Sequence, residues 1–143
     1  MIEPSILNIS RRIQDIGKTF HERMQTRSNR MGLHRSYYPI LFLLSQNERL
    51  TQQQISDAVG YKPSTISITL MNMQKDGLVE RAQSNKDKRM VYVSLTEAGH
   101  KLDQMIFSNL QEVSALMMRG FTQEEMDTLS EMLQRIQNNL REG

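Results

Sequence analysis

The sequence predicts a mainly α-helical fold interrupted by one small β-hairpin. Three observations carry that expectation. Apolar residues recur at spacings of three and four along most of the chain, the period of helices with one buried face. Between residues 78 and 95 the period falls to two, as in strands. Helix-start and helix-stop residues also lie where the periodic segments begin and end.

Taken in order, Ile6, Ile9, Ile13, Ile16 and Phe20 give one apolar face of a long first helix running to about Ser28, and Gly32 breaks its pattern. Ser36 is the expected N-cap of a strongly buried second helix through Ser45, with Pro39 still in the first turn. Thr51-Gln52-Gln53-Gln54 has the form of a capping box. It opens a short third helix that turns Ile55, Ala58 and Val59 inward and stops at Gly60. Pro63 suits the first position of a fourth helix with Ile66, Leu70 and Met73 inside, Lys75 near its end and Gly77 as its left-handed terminator.

Residues 78–81 and 90–95 read as strands, joined by the polar segment Gln83-Ser84-Asn85-Lys86-Asp87-Lys88-Arg89. Thr96 caps a fifth helix with Leu102, Ile106, Leu110, Val113 and Met117 on one side, ended by Gly120. Thr122-Gln123-Glu124-Glu125 is a second capping box, and the last helix carries Met126, Leu129, Leu133, Ile136 and Leu140.

Composition narrows the function. The 143 residues carry a net charge of +2, but unevenly: residues 1–61 sum to +3, 62–96 to +3 and 97–143 to −4. A basic front and an acidic tail suit a polyanion partner for one part only, although scattered surface charge gives the same sums. There is no cysteine, hence no disulfide, thiol nucleophile or thiolate metal site. The longest apolar run, Ile40–Leu44, is far short of a membrane span, and Ser10-Arg11-Arg12 interrupts any signal-peptide core. A cytoplasmic protein without membrane association is expected.

Enzymatic function finds no support. The seven glycines are too scattered for a phosphate-cradling loop, and His21, His34 and His100 offer no zinc pair. No nucleophile pairs with a base, and Glu124 and Glu125 are accounted for by the dipole at a helix N-terminus. No catalytic residue, metal or cofactor is expected. The eleven methionines mostly follow helical stripes, where adaptable packing accounts for them.

The middle of the chain runs helix, tight turn, helix, hairpin. The second of those helices is of a size to enter the major groove of B-DNA. Its outward residues are Ser64, Thr65, Ser67, Ile68, Met71 and Asn72, with no acid among them. Hydroxyls reach phosphates and base edges, and Ile68 and the Thr65 methyl can meet thymine methyls. Lys62 sits where free helix N–H groups already attract phosphate. A solvated helical face is the alternative, though such a face usually carries Glu and Lys. At the hairpin tip lie Lys86, Asp87, Lys88 and Arg89. An arginine there can enter a narrow minor groove, with Asp87 bracing its guanidinium; an ordinary solvated turn is the alternative.

From Leu50 to Lys101 the sequence resembles a winged helix-turn-helix of the MarR type, a family of bacterial transcriptional regulators. The residues that carry the likeness are Leu50–Gly60, Ser64-Thr65-Ile66-Ser67, Lys75–Arg81, Asp87-Lys88-Arg89 and Val93–Gly99. The Asp-x-Arg wing and the strand ending in Leu-Thr-x-x-Gly are the more specific parts. The resemblance implies a homodimeric repressor on a pseudo-palindromic operator in double-stranded DNA. Ser64, Thr65 and Ser67 would then lie in the major groove, with Arg89 in the minor groove, oriented by Asp87. The full candidate DNA-binding set adds Thr51, Gln52, Lys62, Ile68, Asn72, Lys86 and Lys88. Many relatives carry arginine where Ile68 stands, so a guanine or phosphate contact of the family is missing here.

The same resemblance organises the chain as one domain, with residues 36–96 the DNA-binding lobe and residues 1–35 and 97–143 a helical dimerisation region. The apolar stripes of the terminal helices suit pairing with a second copy, or completion of the chain's own core. Relatives hold an effector between the dimer helices and the DNA-binding lobe. The corresponding residues here are Arg27, Arg30, His34, Tyr37 and Tyr38, which could hold a small aromatic or anionic ligand; the tyrosines can equally be core or interface residues. The stretch 18–35, with five cations and one acid, can also lie along DNA backbone. The rival reading is a winged-helix protein–protein interaction module that binds no specific DNA.

Overall fold

The computed structural model describes residues 3–28 and 33–143. Its elements follow the order α1 (Pro4–Ser28), α2 (Tyr37–Ser45), β1 (Leu50–Thr51), α3 (Gln52–Val59), α4 (Pro63–Lys75), β2 (Val79–Gln83), β3 (Val91–Leu95), α5 (Glu97–Met117) and α6 (Gln123–Glu142). The fold is mainly α with a small antiparallel sheet. Two compact units are resolved, residues 1–109 and 110–143, divided within α5.

The hairpin gains a third strand. β1 pairs with β3, Leu50 opposite Val93 and Thr51 opposite Tyr92, and the sheet order is β1-β3-β2. Two residues are too few for any period to register in a sequence. The hairpin strands are also displaced from their expected limits. β2 begins at Val79 because the Leu78 N–H turns back to the Met73 carbonyl, 2.9 Å away, and closes α4. β3 begins at Val91 because the Met90 N–H bonds the Asp87 carbonyl within the tip turn.

The core of the first unit draws on every element from α2 to β3. Ile40, Leu41, Leu44, Ile55, Ile66, Leu70, Met73, Val79 and Val93 are fully buried, each removing apolar surface worth about 1.5–3 kcal/mol. Leu102 of α5 joins this cluster and Ile106 packs against it. Phe42, on the far side of α2, is exposed.

Local signals account for most helix ends. The Thr51 hydroxyl accepts from the Gln54 N–H at 3.1 Å, while Gln54 Oε1 accepts from the Thr51 N–H at 2.9 Å. α3 ends at Gly60 with φ +78°. Pro63 is the first residue of α4, and Gly77, at φ +73°, donates to the Gln74 carbonyl at 3.0 Å. With the Leu78 bond this is a Schellman terminus, which favours glycine at the left-handed position. Thr122 and Glu125 repeat the reciprocal cap at α6. Ser36 departs from expectation. It has right-handed helical dihedrals and makes no cap bond; its hydroxyl instead lies 2.7 Å from His34 Nδ1.

The two ends of the chain leave apolar side chains uncovered. On α1, Ile6, Leu7, Ile9, Ile13 and Ile16 are exposed. No residue of α6 is buried, and Met132, Leu133 and Leu140 are exposed. Among the described residues no helix is long and apolar enough to cross a membrane.

Candidate nucleic-acid interface

α4 is held from within by Ile66, Thr69, Leu70 and Met73, and everything between these positions faces out. With 3.6 residues per turn, Ser64, Ile68, Met71 and Lys75 fall on one line opposite the buried stripe. Thr65 and Asn72 flank that line on one side and Ser67 on the other; all of these residues are exposed. The helix contains no acid from Pro63 to Lys75. Lys62, in the N-cap position, is exposed and makes no side-chain cap bond, so the N–H groups of the first turn stay open to an anion. The outward set read from the sequence is therefore brought together on one surface.

The start of α3 is less free. Thr51 is occupied in its capping box. Gln52 Oε1 accepts from Arg81 Nη1 at 3.3 Å, and Arg81 Nε donates to Gln74 Oε1 at 2.8 Å. Arg81 thus ties α3, α4 and β2 together, a bridging role its place in a strand did not suggest. Gln52 keeps its amide N–H groups for a partner.

At the wing tip, Asp87 Oδ1 accepts from the Arg89 backbone N–H at 3.0 Å and from Arg89 Nε at 3.4 Å. The Arg89 side chain is 94% exposed. The aspartate therefore steers the guanidinium without covering it. Lys86 and Lys88 are exposed beside it. Arg49, which carried no signal in the sequence, lies over the Tyr92 ring at 4.3 Å from its centroid. It helps line a groove of about 630 Å³ with Ser84, Asn85, Lys86 and Ser94, and no acid lines that groove.

The expected ligand residues are placed unevenly. Arg30 lies outside the described residues, and so does the side chain of Arg27. His34 is exposed, its ring 6.4 Å from that of Tyr37. Tyr38 is half-buried. Tyr37 is a core residue, and its hydroxyl donates to Asp76 Oδ2 at 2.8 Å. Burial first, then the hydrogen bond to Asp76 and its charge, push the phenol up to about 12. Tyr37 therefore joins the start of α2 to the end of α4. Among the described residues, no group of three or more His, Asp or Glu is placed to hold a metal ion.

Comparison with known proteins agrees with this geometry. The profile of the MarR family matches residues 31–90. The chain is 27% identical over 135 residues to the HTH-type transcriptional repressor YetL of Bacillus subtilis, covering 92% of this chain and 80% of the repressor. It is 26% identical over 121 residues to the HTH-type transcriptional repressor IacR of Pseudomonas putida, covering 85% and 72%. Its fold matches the YusO protein from Bacillus subtilis with a TM-score of 0.78 at 19% identity, covering 96% of this chain and 99% of the other. It also matches a cysteine-to-serine mutant of MarR from E. coli, complexed with operator DNA, with a TM-score of 0.74 at 18% identity, covering 92% and 95%. An acid-free helix beside an arginine-tipped wing, the profile match and these relatives point the same way: the chain has the winged helix-turn-helix fold and is similar to the MarR family of regulators.

Proposed function

We propose that this protein is a sequence-specific, non-enzymatic transcriptional regulator that binds double-stranded DNA as a homodimer and represses until a small ligand releases it. One observation carries the DNA reading: the exposed face of α4 lacks acids and stands in the same unit as a wing whose arginine is braced yet open. α4 enters the major groove with Ser64, Thr65, Ser67, Ile68 and Asn72, and Arg89 reaches the flanking minor groove. Lys62, Lys86 and Lys88 contact phosphates, joined by Thr51 and Gln52 at the start of α3.

Residues 36–96 serve as the DNA-binding lobe, and the terminal helices of residues 1–35 and 97–143 pair two copies. The uncovered apolar rows of α1 and of α6 support that pairing. Two lobes then reach successive major grooves about 34 Å apart on a pseudo-palindromic operator. An aromatic or anionic effector near His34, Tyr38, Arg27 and Arg30 acts by favouring a dimer geometry that no longer fits this spacing. Tyr37 contributes there as a wall, since its hydroxyl is held by Asp76.

The test is a gel-shift titration on duplexes upstream of the gene, at several salt concentrations. Log affinity falls linearly with log salt, and Arg89→Ala weakens specific binding about 5- to 100-fold while dimerisation persists. Absence of binding at low salt refutes the DNA reading and favours a protein-interaction module.

A further inference from the structure

Two large apolar side chains occupy the middle of the exposed line of α4. Ile68 is 58% exposed and Met71 is 41% exposed, one turn apart and side by side. Single exposed apolar residues are commonplace. This pair is different in its setting: it lies at the centre of an acid-free helix, between Ser64 and Lys75 on the same line and flanked by Thr65, Ser67 and Asn72. Hydroxyls, an amide and a cation around an apolar centre complement a surface with phosphates at its edges and methyl groups in its middle. The major groove of DNA has that composition where thymines occur, because the thymine C5 methyl is the apolar feature of its floor.

Resting on the DNA-binding reading above, we propose that Ile68 and Met71 are specificity-determining residues that read thymine methyls at the centre of each operator half-site. Neither side chain can donate a hydrogen bond, so neither selects guanine or adenine through its acceptors. Each gains by removing its own surface and a methyl from water, and the protein therefore selects for A·T pairs with the methyl beneath this line.

The probe is an operator selected by the protein from a random-sequence duplex pool, with thymines replaced one at a time by deoxyuridine. This exchange deletes the methyl and leaves base pairing and the O4 acceptor intact. Loss of one buried methyl predicts about fourfold weaker binding at the one or two central positions of each half-site, and no change elsewhere. Ile68→Ala and Met71→Ala bind the thymine operator more weakly, and together they bind thymine and uracil duplexes equally. Their exposed positions leave the fold intact, checked by circular dichroism.

A wild-type protein indifferent to deoxyuridine at every position overturns the proposal, as does a selected half-site centre made only of G·C pairs. Discrimination that survives in the double variant assigns the methyl contact to other residues and overturns it too. Absence of any duplex binding refutes the functional reading and this inference with it, whereas binding without methyl discrimination refutes this inference alone.

Discussion

The hydrogen bond from Tyr37 to Asp76 ties the end of α4 to α2 across 39 residues of sequence, and its removal has a predictable asymmetry. Tyr37→Phe deletes the donor. Asp76 is exposed, so water replaces the lost partner and the cost is at the low end for a bond to a charged group, about 1–1.5 kcal/mol. Asp76→Ala deletes the acceptor and strands a phenol hydroxyl on a side chain that is only 6% exposed. A buried donor without a partner costs about 1–3 kcal/mol. Part of that is offset, because a carboxylate at the C-terminal end of a helix is unfavourable by about 0.3–1 kcal/mol. Asp76→Asn keeps an acceptor oxygen and removes the unfavourable charge, so it stays close to wild type. Urea unfolding at one fixed protein concentration measures all three variants and the Tyr37→Phe/Asp76→Ala double variant. A coupling energy near 1 kcal/mol is expected. Coupling near zero, or an Asp76→Asn variant as unstable as Asp76→Ala, refutes the reasoning. Operator affinity adds a separate reading: if the bond orients α4, Tyr37→Phe weakens DNA binding beyond its effect on folding.

The remaining predictions concern the joints around the same helix. A Cβ at Gly99 would collide with the Leu78 carbonyl, so Gly99→Ala destabilises by about 1–3 kcal/mol, read as a lower urea midpoint. Thr51→Ala breaks the reciprocal cap of α3 and costs about 1 kcal/mol, read as a lower melting temperature. Alkaline pH tests Tyr37 from another side. Its pKa rises from 10.0 to about 12 on folding, so the unfolded chain ionises first. The stabilisation is complete below pH 10 and is lost as the pH climbs from 10 to about 12. In Tyr37→Phe that portion of the alkaline loss is absent, as urea midpoints on both sides of pH 10 will show.

The sequence spoke most clearly where backbone chemistry demands a particular residue. The capping boxes at Thr51 and Thr122, Pro63 at the start of α4 and Gly77 after its end all formed as read, because each satisfies a local requirement. Ser36 has the right residue type for a cap, but His34 takes its hydroxyl. A one-residue choice between two partners leaves no periodic trace. The outward face of α4 was legible from its helical period, since exposure there follows from where Ile66, Leu70 and Met73 are buried. What lies across long sequence separations was not. Tyr37 and Asp76 are 39 residues apart, Arg81 and Gln52 are 29 apart, and nothing local to either pair encodes the meeting.

Two segments that carried the family likeness as separate patterns prove to be halves of one joint. Residues 75–81 end α4 and begin β2; residues 93–99 end β3 and begin α5. Thr96 Oγ1 donates to the Gly77 carbonyl at 2.6 Å and accepts from the Gly99 N–H at 3.1 Å, so one hydroxyl caps α5 and ties it to the residue that follows the end of α4. The Thr96 N–H donates to the Leu78 carbonyl at 3.0 Å, the same oxygen that only a glycine at position 99 can approach. Tyr37 fastens the residue next to this joint from the side of α2. The spacing Leu-Thr-x-x-Gly is then the spacing needed to reach Gly77 and Leu78 from one turn of α5. The C-terminal end of α4 is fixed by three elements while its N-terminal end, beside Lys62, carries no side-chain cap. A helix tied at its end to α2 through Tyr37 and Asp76 can present its outward face, from Ser64 to Asn72, to a duplex and still be redirected by whatever moves α2. Under the proposed regulation, an effector at the start of α2 would not need to touch α4, because the Tyr37–Asp76 hydrogen bond reaches the end of that helix.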